Sequence, residues 1–314
     1  MFIPKKLRTL VLFVGLILLV FISFCLLTPT KSPANPPEDK LTYHSKTGDV
    51  LVYESVRENT RTMERSGESS EFTTTRTYNF QLKTETAMDS LSFELTVNKL
   101  ETAGEGGRGF RGPNLDPEKI IGKRARITIK TNGEVKGITA IDSIAFEEQP
   151  GREERGGRPP GSRMNPVNLL RVAFFMLPDR PIKIGDSWTE DYQEPAGSDL
   201  SFGRFSQERK VTGKSKFSVV GKEKKLGLDC YHIRVESQYE SEAHGSMRGS
   251  DYNSEGEGEV KADAWFAHKE GVLVEYQTNE FYEGTTAISG ETNRTMANSN
   301  ETKSTLKLVK YSPK

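Results

Sequence analysis

Cysteine is nearly missing from this chain: of 314 residues only Cys25 and Cys230 carry a thiol, and Cys25 lies inside an N-terminal apolar run. With that run in or near a membrane, no intrachain disulfide can staple the body of the protein, and Cys230 reads as a small buried apolar residue. Net charge is missing too. Lys plus Arg and Asp plus Glu both stand at 44, so nothing in the overall balance favours a polyanionic partner such as nucleic acid. Histidine is scarce: residues 44, 232, 244 and 268 show neither the HExxH spacing nor a cysteine pair beside them, and no metal site is expected. The chain also has no Gly-x-Ser-x-Gly elbow, no P-loop and no dinucleotide fingerprint in a βαβ context. These absences leave no nucleophile, base and orienting group that could be assembled into a catalytic set, and no cofactor is expected.

What is present begins at the N-terminus. Lys5, Lys6 and Arg8 precede an uncharged apolar run over 10–27, which as a helix would be about 27 Å long, enough to cross a bilayer. The basic flank places the start of the chain in the cytoplasm and everything after it outside. Residues 1–30 thus read as a membrane anchor, with a cleaved signal peptide and lipidation at Cys25 as the competing readings. Residues 31–40, with prolines at 33, 36 and 37, read as an extended spacer.

From residue 41 the pattern has period two. Val50, Val52 and Val56, then Tyr78, Phe80 and Leu82, then Leu91, Phe93, Leu95 and Val97 alternate with polar residues. Thr-rich stretches such as 73–77 add β-branched side chains, and Ser66-Gly67 and Asn132-Gly133 mark tight turns, so long antiparallel hairpins are expected. Gly/Arg-rich tracts at 103–113 and 150–163 interrupt the pattern as solvated loops; short, carrying Glu153 and Glu154, and on an exported chain, they do not read as nucleic-acid contacts.

Two landmarks recur at nearly one spacing. Lys46-Thr-Gly48-Asp49 returns as Lys183-Ile-Gly185-Asp186, 137 positions on, and the turn at Gly133 returns at Gly271, 138 positions on. The repetition predicts two similar β units, at 41–163 and 181–314. In each, Gly48 with Asp49 and Gly185 with Asp186 form a structural turn rather than a paired acid/base site. Between the units, over 164–180, Asn165-Pro166 starts an apolar stretch that reads as a short helix over 166–177, ended by Pro178 and buried on nearly all sides.

The fold class expected is mainly β: two similar antiparallel curved-sheet, half-barrel units joined by one short apolar helix, plus the N-terminal transmembrane or signal helix. An N-terminal export segment, long hairpins, the mid-chain apolar stretch, Pro181-Ile-Lys-Ile-Gly-Asp-Ser-Trp188 and Ala264-Trp-Phe-Ala-His-Lys-Glu-Gly-Val272 resemble a group of bacterial exported proteins of unknown function. Their organisation is similar to the curved-sheet lipoprotein carriers of the LolA/LolB type, over about residues 41–311. That resemblance implies an antiparallel half-barrel with a helical plug and a hydrophobic groove, for which Leu170, Phe174, Trp188 and Trp265 are the candidate lining residues. By their residue type alone the two tryptophans read first as core anchors.

The functional expectation is a membrane-anchored or secreted envelope protein, non-catalytic, binding a lipid-like hydrophobic ligand or another envelope protein in a β groove. An envelope hydrolase using dispersed carboxylates and a purely structural or interaction module are the alternatives.

Overall fold

The computed structural model describes residues 38–65, 68–106, 117–142, 144–145, 163–164, 174–192, 206–247, 250–290 and 293–314. The N-terminal apolar run, most of both Gly/Arg-rich tracts and residues 165–173 of the expected helix lie outside these described residues.

Period-two alternation produces long strands. β1 (Val50–Arg65), β2 (Glu68–Ala87), β3 (Ser90–Gly106), β4 (Arg124–Lys130) and β5 (Val135–Ala140) follow one another as antiparallel neighbours. After a two-residue pair, β6 (Ile144–Ala145) with β7 (Arg163–Met164), a second series begins: β8 (Ser187–Asp191), β9 (Ser206–Lys225), β10 (Leu228–Met247), β11 (Ser250–Ala267) and β12 (Val272–Ser289). Strand β13 (Arg294–Ser312) then pairs with β12 on one side and returns to β1 on the other. The result is one antiparallel sheet of 11 strands in the order β5-β4-β3-β2-β1-β13-β12-β11-β10-β9-β8. The two series are therefore not two separate half-barrels. Strand β13 is what fuses the two series into a single sheet.

Helix is almost absent: the described residues hold one, α1 (Pro117–Ile120). The expected mid-chain helix is corrected where it can be seen, because Phe174–Leu177 is irregular chain. Tertiary bonds hold this piece: the Leu177 N–H donates to the Asn132 carbonyl at 2.8 Å, and the Tyr43 hydroxyl donates to the Phe175 carbonyl at 3.0 Å. Those groups satisfy the backbone without an intrahelical ladder.

At the two recurring turns the hydrogen bonds are the same. The Gly48 N–H donates to Thr84 of β2 and the Gly185 N–H to Val219 of β9, both at 2.9 Å. Asp49 Oδ2 accepts from the Lys46 N–H at 2.8 Å, and Asp186 Oδ2 from the Lys183 N–H at 3.1 Å. Both glycines have φ above +90°, a region where a Cβ is strained.

The sheet is rolled, and adjacent residues prove it. The Tyr43 N–H donates to Thr131, at the β4–β5 turn, and the His44 N–H to Gly271, at the β11–β12 turn. Six strand spacings separate β4 from β11, about 29 Å on a flat sheet at ~4.8 Å each. One dipeptide cannot span that distance. Likewise Phe174 stacks on Phe93 of β3 at 6.0 Å while its neighbour Phe175 meets Phe217 of β9 at 6.0 Å. The segments at 39–46 and 174–182 lie inside the roll, tied to each other by the Asp39–Ile182 bridge. Leu41, Tyr43, Phe175, Leu177 and Ile182 are all buried there, against Phe80, Leu95, Ile127, Ile233 and Phe266.

Candidate functional site

The pairing registers give each strand an inner face, carrying this core, and an outer one. On β1 the inner residues are Leu51, Tyr53, Ser55, Arg57, Asn59 and Arg61: apolar near the Gly48 turn, polar beyond it. The change comes at the level of Arg57. Following cross-strand partners from there, one rung runs Trp188, Phe217, Val235, Ala262, Thr278, Ser304, Arg57 and Arg76, across β8, β9, β10, β11, β12, β13, β1 and β2. Half of this rung is apolar, with Trp188 stacked on Phe217 at 5.0 Å and 4°. Two hydroxyls follow, Thr278 and Ser304, in a 2.6 Å hydrogen bond. Two arginines come next, directly opposite each other, and Arg76 in turn faces Thr102 of β3.

Like charges in directly opposed positions destabilise a pair of strands. Moreover, Arg76 Nε is buried and has no hydrogen-bond partner, an arrangement that costs free energy unless something supplies an acceptor. Arg61 sits two rungs on; burial lowers its pKa. Between them Asn59 donates to Asn300 Oδ1 at 2.7 Å and to Thr302 Oγ1 at 2.8 Å. Farther along lies a track of flat aromatics over glycines: Tyr239 is opposed by Gly213 and Gly258, and Tyr282 by Gly258. Tyr192 stacks on Tyr239 at 4.5 Å and the Tyr239 hydroxyl donates to Glu280 at 2.7 Å. Burial, followed by the Glu280 charge, pushes the Tyr239 phenol far up, so it stays a neutral donor.

The outer face at this end has the opposite sign. Glu240, Glu257 and Glu283 are direct partners on β10, β11 and β12 and line two depressions of about 640 and 1040 Å³.

The structure distributes the expected groove residues unevenly. Phe174 lies in the roll, edge-on to Tyr43 at 5.9 Å, and Trp188 is half-buried on the inner face. Trp265 is elsewhere. Its strand neighbour Ala264 opposes the buried Ile233, so Trp265 opposes His232 on the outer face, stacked on that imidazole at 4.7 Å. There its indole N–H donates to Glu223 at 2.5 Å and Lys225 lies 4.0 Å above the ring. Trp188 and Trp265 therefore cannot line one groove. Leu170 lies outside the described residues.

Asp49 is buried at 1% exposure. Burial pushes its carboxyl up, but N–H groups of Lys46 and Lys314, both at 2.8 Å, and the Ser45 hydroxyl at 3.0 Å outweigh this and hold its pKa below the usual range. Asp186, less buried, accepts from Lys183 and lies 3.6 Å from Arg180. The two aspartates belong to separate turns and do not meet. Cys230 is wholly buried, and burial pushes its thiol up to about 11.

The residues missed by sequence reasoning are Arg57 and Arg76. A signal existed: the two arginines are equally distant from the Ser66-Gly67 dipeptide, so a hairpin centred there sets them opposite each other.

No family model matches the chain, and no curated protein matches it. Among solved structures, the crystal structure of a DUF1329 family protein from Desulfovibrio piger is matched over 82% of this chain and 85% of that one, at 8% identity and a TM-score of 0.13. At that score the likeness carries no argument about fold or function.

Proposed function

We propose that this is a non-catalytic binding protein of the cell envelope, held by its N-terminal apolar run or released after cleavage, which carries a lipid-like amphiphile across the inner face of the rolled sheet. The observation that carries the reading is the single rung from Trp188 to Arg76, apolar at one end and cationic at the other. A ligand lying across the strands would set its hydrocarbon against the half-buried Trp188, whose ring together with Phe175 covers Phe217, and its polar end near Arg57. Supporting a non-catalytic role, Asp49 and Asp186 are occupied in holding turns. The matching turn bonds at Gly48 and Gly185 support an internal duplication as the origin of the two strand series.

The test is saturable binding of a fluorescent fatty acid to the full-length chain in phosphatidylcholine nanodiscs, with empty discs subtracted. Trp188→Ala should weaken uptake and Trp265→Phe, on the outer face, should not. Absence of saturable uptake by the parent chain would remove the amphiphile reading. Turnover found in a broad substrate screen, and lost in a folded Asp49→Asn/Asp186→Asn double variant, would instead support the hydrolase alternative.

A further inference from the structure

We propose that the inner-face site selects an amphiphile with an anionic oxygen head group, a carboxylate or a phosphate, and that Arg76 together with Arg57 binds that head. This rests on the amphiphile reading above and specifies its ligand. Three observations converge on it. First, Arg57 and Arg76 are direct cross-strand partners on the inner face, which sets two guanidinium groups side by side. Secondly, the Arg76 Nε–H is buried with no acceptor, and a guanidinium presents its donors as a planar fork matched to two oxygens of one oxyanion. Thirdly, the pair stands in the polar half of a rung whose other half is apolar, so head and tail positions are set on one line by backbone register, with Thr102 of β3 beyond Arg76.

The surroundings fit this polarity. Ser304, next in the rung, offers a hydroxyl to a head-group oxygen, with the Thr278 hydroxyl bonded to it at 2.6 Å. On the inner face of the strands, Glu280 and Glu190 lie on β12 and β8, three and seven strands from Arg76 in the sheet order, and Glu68 lies eight residues from Arg76 at the start of β2. The outer face at the glycine track bears Glu240, Glu257 and Glu283 and repels an anion, so charge favours the inner face.

The experiment uses the full-length chain in phosphatidylcholine nanodiscs and reads the melting temperature of the sheet, which rises with any ligand that binds the folded state. Decanoate, its neutral methyl ester and inorganic phosphate are added separately to the parent, Arg76→Gln and Arg76→Lys. Decanoate should raise the melting temperature of the parent most, the ester less and phosphate least. Arg76→Gln should reduce the decanoate shift to that of the ester without changing the ester's own shift, and Arg76→Lys should restore part of the difference. Without ligand, Arg76→Gln should melt no lower than the parent, since it removes a buried N–H that has no acceptor. Equal shifts from acid and ester in the parent would overturn the anionic-head assignment while leaving an amphiphile site in place. No shift from either would remove the amphiphile reading as well. A phosphate shift as large as that of decanoate would mark a free-oxyanion site and overturn the lipid assignment.

Discussion

Replacing Asp49 by alanine should destabilise the protein far more than the same change at Asp186, although the two residues occupy the same place in two copies of one turn. Asp49 is 1% exposed and accepts three hydrogen bonds, from the N–H groups of Lys46 and Lys314 and from Ser45 Oγ, at 2.8, 2.8 and 3.0 Å. Taking roughly 1 kcal/mol net for each bond to a charged acceptor, and counting the donors left without a partner, Asp49→Ala should cost about 3 kcal/mol. Asp186, with 21% of its side chain exposed, accepts one backbone N–H at 3.1 Å. Its removal should cost about 1 kcal/mol or less. Urea unfolding followed by far-ultraviolet circular dichroism measures both at neutral pH. The difference carries a pH signature whose sign is set by the lowered pKa of Asp49. Its stabilisation is fully present above the unfolded-state carboxyl pKa of about 3.9 and is lost as pH falls through the lower folded value. The gap between parent and Asp49→Ala should therefore be constant from neutrality to about pH 5 and close below about pH 4. Equal costs at the two turns, or a gap that persists in acid, would refute the argument.

Other positions give equally specific outcomes. Gly133 has φ +91°, and a Cβ there would overlap the Phe175 carbonyl oxygen, so Gly133→Ala should lose on the order of 2 kcal/mol or more in the same unfolding assay. Gly258→Ala would press on the Tyr239 ring; it should lower the melting temperature and alter the near-ultraviolet dichroism of the stacked tyrosines. Tyr53→Phe removes a buried hydroxyl that donates to the Leu273 carbonyl at 2.8 Å and should cost about 1 to 2 kcal/mol by urea titration. Arg76→Gln should gain up to about 1 kcal/mol by removing a buried N–H that has no acceptor.

The sequence made the local chemistry legible and left the long-range pairing obscure. Lys46-Thr-Gly48-Asp49 and Lys183-Ile-Gly185-Asp186 could be matched because a positive-φ glycine and a side-chain acceptor leave a short, position-specific mark. Alternation announces the strands. What β13 does, returning to β1 and merging the two series, depends on a contact between residues some 250 positions apart, such as Val50 with Ser312, and no local pattern encodes it. Phe174–Leu177 looked helical from apolar content and the Asn165-Pro166 start, but bonds from Asn132 and Tyr43, distant in sequence, fix it as irregular chain. The resemblance to the curved-sheet carriers sets Trp265 in the groove. Alternation with Ala264 already put it on the other side, where Lys225, His232 and Glu223 shield it.

The most direct measurement is the identity of what the protein carries. Full-length chain purified from its membrane in a neutral detergent, extracted with organic solvent and examined by mass spectrometry, should yield an anionic amphiphile in stoichiometric amount, much reduced in a folded Arg76→Gln variant prepared in parallel. Extracts of the parent with no bound lipid, or with neutral lipids in the proportions of the bulk membrane and unchanged by the substitution, would contradict it.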